Sequence, residues 1–248
     1  MVFFNSHWDE IGTKASLQRI ISQVTGIPSG VVLFNDPTAS VAQRMSWASG
    51  RQTSRLEDRA YSLMGLFGVH MPMIYGEGEM AFQRLQLEIM KVSSDQTLFA
   101  RTTRNPELRR RVIDATDPDR DEARNVLATC PEDFGNCREM NERGRRELSG
   151  EVLQTREPSR PYEMTNAGLH IKLPLIELPA IEGQPDKALG VLGCHSHPPR
   201  QGDPTGLRAI LLQRATEGGP SQYIKIEDAR PLTSDEKKSA RANPTHRR

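Results

Sequence analysis

The stretch MPMIYGEGEMAFQRLQLE, residues 71–88, decides how this chain folds. Pro72 restricts Met71 to an extended conformation. Gly76 and Gly78 permit positive φ, so the chain can reverse there. A 3.6-residue apolar period then begins, with Phe82, Leu85, Ile89 and Val92 on one face. Glu77 and Glu79 fall where that helix starts, a position that favours negative charge by roughly 0.3–1 kcal/mol. The stretch reads as a turn that launches a helix, with Gly76 or Gly78 at positive φ and Glu77 near free backbone N–H groups. Tyr75 is expected to pack its ring while its hydroxyl finds a partner. A phosphate loop of the Walker type would need further glycines and a Lys-Ser/Thr pair, which are absent. The dinucleotide pattern G-x-G-x-x-G also fails, because no third glycine follows Gly78 at the required spacing.

Upstream, Val41, Met45 and Ala48 share a helical face that Gly50 ends. A second helix is expected from the capping-box pattern Ser54-x-x-Glu57, with Thr53 competing for the cap. Leu56, Ala60, Leu63, Met64 and Phe67 form its stripe, and Gly68 ends it. Nearer the start, Val2–Phe4 reads as a short strand. Leu17, Ile20, Ile21, Val24 and Ile27 read as a helix stopped by Gly26 and Pro28. Asn35-Asp36-Pro37 reads as a turn.

From 101 to 160 the composition changes. RTTRNPELRRR alone carries five Arg and one Glu, and apolar residues are sparse. This reads as a charged linker, partly disordered. Order is expected again over 161–230. There Leu169–Leu173, Ala188–Cys194, Leu207–Gln213 and Tyr223–Ile226 read as strands of a small antiparallel sheet or part of a sandwich. Residues 231–248 read as a disordered basic tail. The expected fold class is α+β: a helical module over 1–100, a polar linker, and a small, mostly antiparallel β module.

Composition narrows function. The 248 residues carry 33 Lys+Arg against 32 Asp+Glu, so no global field favours nucleic acid or an anionic membrane. Cys130, Cys137 and Cys194 are too few and too odd for a disulfide scaffold and fit a reducing compartment. No apolar run approaches the ~18–20 residues that span a bilayer. MVFFNSHWDE lacks the basic and long apolar regions of a signal peptide. A cytoplasmic chain is expected.

Three candidate chemistries follow. Arg51, Arg55, Glu57, Asp58, Arg84 and Glu88 could be an acid/base set, or ion pairs that lock helix to helix. Adjacent helical positions face ~100° apart, so Glu57 and Asp58 cannot both point at one substrate atom, and ion pairing is the favoured reading. Cys194-His195-Ser196-His197, with Cys130 and Cys137, could hold zinc, but the spacing matches no tight ligand set and no metal is expected. Arg109–Arg111 and the 237–248 tail could contact nucleic acid, but they lack interleaved aromatics.

The stretch SVAQRMSWASGRQTSRLEDRAYSLMGLFGVHMPMIYGEGEMAFQRLQLEIM, residues 40–90, closely resembles a segment of fungal heterokaryon incompatibility (HET) domain proteins. The family pattern runs R-M-S-W-A, R-x-T, E-D-x-A-Y, L-x-G-x-F, M-P, Y-G-E-G and A-F-x-R-L-Q-x-E-I. On this chain it is carried at Trp47, Arg51, Thr53, Glu57, Asp58, Tyr61, Pro72, Tyr75, Gly76, Glu77, Gly78, Phe82, Arg84 and Glu88, among others. The resemblance extends to FFNSHWDEIGTKASLQRIISQVTGI and, more weakly, to LATCPEDFGNC and PYEMTNAGLHIKLPLI. After SSDQTLFA the family usually has Trp where Arg101 stands, which implies weaker packing at the end of the third helix, or altered splicing or drift. Family members begin with an α/β core, compared with Toll/interleukin-receptor-type domains, that carries L-S-Y-x-W-G and I-D-x-x-C-I-x-Q motifs. Neither motif is present, so the resemblance implies a chain that starts after that core and carries no catalytic residue over. It implies a scaffold or interaction role in self/non-self recognition and incompatibility cell death. No cofactor is implied, protein partners are, and membrane or nucleic-acid partners are not. The rival from a different class is a nucleotide-hydrolysing enzyme that uses Glu57, Asp58, Glu77 or Glu88.

Overall fold

The protein is described by a computed structural model over residues 1–34, 38–102, 126–142, 162–166, 168–180, 186–196, 206–215, 222–233 and 236. The expected turn at 35–37, Arg109–Arg111 and almost all of the basic tail lie outside the described residues, as do 103–125 and 143–161 of the expected linker. The chain divides into two compact units, Met1–Ser40 and Val41–Arg248.

In the first unit, β1 (Val2–Phe4) pairs antiparallel with β2 (Glu10–Thr13). Asn5 builds the turn between them. Its Oδ1 accepts from the amides of His7 and Asp9, and its carbonyl accepts from Trp8. Trp8 takes φ 67°, in the left-handed region, and is exposed. Helix α1 (Gln18–Thr25) ends at Gly26 with φ 70°, where the sequence places its stop. Helix α2 (Ser29–Phe34) follows.

The second unit begins with α3 (Val41–Ser46), α4 (Asp58–Tyr61), α5 (Met64–Phe67) and α6 (Met80–Val92), followed by a 3₁₀ turn at Gln96–Phe99. The apolar period after YGEG becomes α6, which buries Phe82, Leu85 and Ile89, each worth about 1.5–3 kcal/mol. Val92, at its last residue, is exposed. The helix expected from Ser54 to Phe67 is instead two single turns, α4 and α5. The capping box does not form, because Glu57 sits before α4 with its carboxylate bonded elsewhere and the Thr53 hydroxyl donates to the Arg55 carbonyl. Leu56 is therefore exposed, while Ala60 and Leu63 are buried. Gly68 ends α5 at φ 64°, as the sequence requires.

Residues 126–142 lie inside the stretch read as linker. They carry a 3₁₀ turn at Pro131–Phe134 and strand β3 (Met140–Glu142), and they bury Leu127, Phe134, Cys137 and Met140. Beyond them come β4 (Glu163–Thr165), β5 (Gly168–His170), β6 (Leu175–Glu177), β7 (Lys187–Ser196), β8 (Leu207–Arg214) and β9 (Tyr223–Pro231). β4 and β5 form a separate hairpin. The main sheet runs β3-β7-β8-β9, with β6 also on β7, and every pairing is antiparallel. β7 is long enough to take β6 along its first half and β3 along its end. The fold is α+β, with a mostly antiparallel sheet.

Period-two alternation along β7 separates two apolar layers. Leu192 and Cys194 join Ile210, Leu212 and the helices in one cluster. Leu189 and Val191 face Ile176, Leu207, Ala209 and Leu232 in another. The first cluster is continuous from Val41 and Met45 through Leu85, Phe134 and the sheet. The helices of this unit and its sheet share one core.

Candidate functional site

Residues 72–78 form a strap held from both sides by side chains. Glu57 is 7% exposed, and its Oε1 accepts from the amides of Gly76 at 2.7 Å and Gly78 at 3.0 Å. Those amides point at one oxygen because Gly76 takes φ 101° and Gly78 φ 58°. No other atom approaches where a Cβ would sit at either glycine, so backbone conformation alone selects glycine there. The Tyr61 hydroxyl accepts from the Ile74 amide at 2.7 Å. It has the Ile74 carbonyl at 2.7 Å and Glu77 Oε1 at 2.9 Å as acceptors for its proton. From α6, Arg84 Nη2 donates to the Pro72 carbonyl at 2.6 Å and to Glu77 Oε1 at 2.8 Å. The Tyr75 hydroxyl donates to Asp58 Oδ1 at 3.1 Å. Its ring stands edge-on to Tyr61 at 5.7 Å, with the Arg55 guanidinium 4.6 Å over its face.

The structure therefore brings Glu57, Asp58, Tyr61, Pro72, Tyr75, Gly76, Glu77, Gly78 and Arg84 together. Two sequence expectations are revised. The carboxylate that caps the YGEG amides is Glu57, from before another helix, and Glu77 turns to Tyr61 and Arg84 instead. Nor do Glu57 and Asp58 form the expected ion pairs with Arg51, Arg55 and Arg84: one binds backbone amides, the other a phenol. The reason is chemical matching, since convergent N–H groups satisfy an ionised oxygen at short range without ordering a long side chain. The remaining motif residues lie apart from the strap's bonds. Glu88 pairs with Lys91 at 2.6 Å one turn along α6, Trp47 and Phe82 are buried, and Arg51 is exposed.

The electrostatics follow from this bonding. The Glu57 carboxyl is held below its ordinary value by its own amide and those of Gly78 and Gly76. Burial, and then the bond to Glu77, push the Tyr61 phenol up, and the bond to Asp58 does the same for Tyr75. At neutral pH the set consists of an ionised acceptor with its donors in place and phenols that keep their protons. None of these three groups is poised to exchange a proton there.

A second constellation was missed in the sequence. Asp95 Oδ2 accepts from the Val41 amide at 2.7 Å and Oδ1 from Thr97 at 2.8 Å, while Thr97 Oγ1 accepts from Ala42 at 3.1 Å. Together they close the start of α3. The signal was present, because Asp95-Gln96-Thr97 is the Asx-turn pattern in which a carboxylate accepts from the amide two residues on. Gln86, fully buried on α6, exchanges two bonds with the backbone of Ala128, at 2.8 and 2.9 Å. Gln96 Oε1 accepts from Gly193, inside the irregular part of β7. Arg101 does not weaken packing by exposure: it is 3% exposed, its Nη1 lies 3.4 Å from Asp133, and its carbonyl accepts from Ala229.

The cysteines stay apart in role. Burial and the charge of Asp133 push the Cys130 thiol up to about 12. Cys137 is buried with its Sγ 3.5 Å from the Ala100 carbonyl. Cys194 is buried on one side of β7, and His195 follows on the other by strand alternation. His197 lies outside the described residues. Among the described residues no group of three or more His, Cys, Asp or Glu gathers, and no helix is long and apolar enough to cross a membrane.

The profile of a domain of unknown function, DUF8212, matches residues 80–197, from the first residue of α6 to just past β7. The vegetative incompatibility protein HET-E-1 of Podospora anserina is 49% identical over 92 residues, or 36% of this chain. The chain is a partial homologue of that protein. It spans 7% of the relative's length. No solved structure matches.

Proposed function

We propose that this chain serves heterokaryon incompatibility as a cytoplasmic interaction and support segment, one that binds protein partners and performs no catalysis of its own. The observation that carries this reading is the bonding of the strap. Its acids and phenols are matched to backbone amides, a carbonyl and an arginine, and none is left aimed at a substrate. Likeness to a vegetative incompatibility protein supports the biological setting. The expected output is the self/non-self response that kills fused cells, an activity resembling innate immunity. The module works by holding a surface in a fixed shape, and the partner is protein rather than membrane or nucleic acid.

The test has two arms. Calorimetry and product assays with ATP and NAD should give neither binding heat nor turnover. Nucleotide turnover that disappears in Glu77→Gln would replace this reading with an enzyme. In the cell, Glu57→Ala introduced at the native locus should abolish the incompatibility response on hyphal fusion. An unchanged response with the altered protein at normal abundance would remove the strap from function.

A further inference from the structure

The fold leaves the capping-box motif Ser54-x-x-Glu57 unused. Glu57 gives its carboxylate to the strap, and Ser54 stands in a bend ahead of α4. Ser54 is exposed, and among the described residues nothing bonds to its hydroxyl. Residues 50–56 hold neither helix nor strand, and all of them except Thr53 are exposed. A segment of this kind can be drawn into another protein's cleft, whereas a helical residue must first melt out of its helix.

Among the described residues, arginine stands three positions before Ser22, Ser54, Ser62 and Thr233. The structure separates the four. Ser22 lies inside α1. The Ser62 hydroxyl donates to the Arg59 carbonyl at 3.2 Å, at the end of α4. Thr233 Oγ1 accepts from the Glu236 amide at 3.4 Å. Of these, Ser54 alone joins the upstream arginine to an exposed, bond-free hydroxyl on an irregular segment. Arg51 is itself exposed, so its guanidinium can meet carboxylates lining an acidic groove. Ser149 and Ser159 also follow arginine by three positions and lie outside the described residues.

We propose that Ser54 is a phosphorylation site for an arginine-directed serine/threonine protein kinase that uses ATP. The Ser54 Oγ–Pγ bond forms, the Pγ–O bond to ADP breaks, and the hydroxyl proton passes to the kinase's catalytic aspartate. The consequence reaches the strap through Arg55. Its guanidinium lies 4.6 Å over the ring of Tyr75, between Ile74 and Gly76 of the strap. Such an exposed contact is worth about two- to fivefold in an equilibrium. A phosphate on the neighbouring residue offers stronger, charge-assisted hydrogen bonds and draws Arg55 off the ring. Phosphorylation therefore loosens the strap. Regulatory use of that change rests on the interaction reading above, and the site itself does not.

The test incubates the purified full chain with Mg-ATP and the catalytic subunit of cyclic-AMP-dependent protein kinase, and maps the product by peptide mass. Ser54 should gain one phosphoryl group, and Arg51→Gln should lower kcat/KM there by about tenfold or more. No phosphate at Ser54 overturns the proposal, as does equal transfer to Ser22 or Ser62, or a rate indifferent to Arg51→Gln. Amide exchange at Gly76 and Gly78 reads the strap. Phosphorylation should speed it about two- to fivefold in the parent. The rise should be smaller in Arg55→Gln, where the contact with Tyr75 is already gone. Exchange that is unchanged by phosphate, or raised equally in Arg55→Gln, overturns the route through Arg55. The interaction reading is judged separately, by the fusion response of Glu57→Ala, and its failure leaves transfer to Ser54 measurable.

Discussion

Glu57 and the two glycines it holds are the residues on which the strap depends. Glu57→Ala removes the acceptor from two convergent amides, whereas Glu57→Gln keeps an oxygen there but loses its charge. The alanine variant should melt lower than the glutamine variant, and both lower than the parent, as calorimetry can check. The pH dependence has a definite sign. The folded-state value of Glu57 lies below 4.5, so its contribution to stability is complete above 4.5 and is lost as pH falls through the folded value. Glu236, bonded to Arg230 and lowered to about 2, behaves the same way between 4.5 and about 2. Melting temperature should therefore fall on acidification across that window, and less steeply in Glu57→Gln. Gly76→Ala meets no atom but must hold φ 101°, so it should cost about 1 kcal/mol or more by denaturant titration. An unchanged midpoint would mean that the strap relaxes freely.

Between elements, the most consequential bonds are those of Gln86. Replacing it by Met keeps the volume but leaves the N–H and C=O of Ala128 without their partner in a buried place. The expected loss is about 2–6 kcal/mol, at ~1–3 kcal/mol for each of the two groups left unsatisfied, read from urea unfolding. A smaller loss would show that 126–142 is held mainly by its apolar residues. This segment also marks where the sequence was hard to read. Long elements announce themselves by period: α6 through Phe82, Leu85 and Ile89, and β7, β8 and β9 through apolar runs closed by turn residues. Residues 126–142 have no period, because a four-residue 3₁₀ turn and a three-residue strand are shorter than any repeat. Their few apolar residues were diluted by the charges around them. At the strap, the glycines and the launching turn were legible. The identity of the capping acid was not, since Glu57 lies 19 residues before Gly76 and only tertiary structure brings them together.

For the molecule as a whole, one core spanning helices and sheet in the second unit implies shared melting. The chain has two tryptophans, so Trp8→Phe leaves buried Trp47 as the sole indole reporter among the helices. Its fluorescence transition should coincide with loss of β-sheet circular dichroism. Gly190→Val should lower both together, because a Cβ there would lie 3.0 Å from Leu173 and Leu212. Separate transitions would divide the core. The sheet's outermost strand has a bearing on how such a chain survives at high concentration. Among the described residues β9 pairs on one side only, with β8. A bare strand edge is a template on which further chains can stack into fibrils. β9 ends with Pro231, which has no N–H to offer an incoming strand. That imino acid acts as a gatekeeper at the end of the edge, where open-ended growth would otherwise continue.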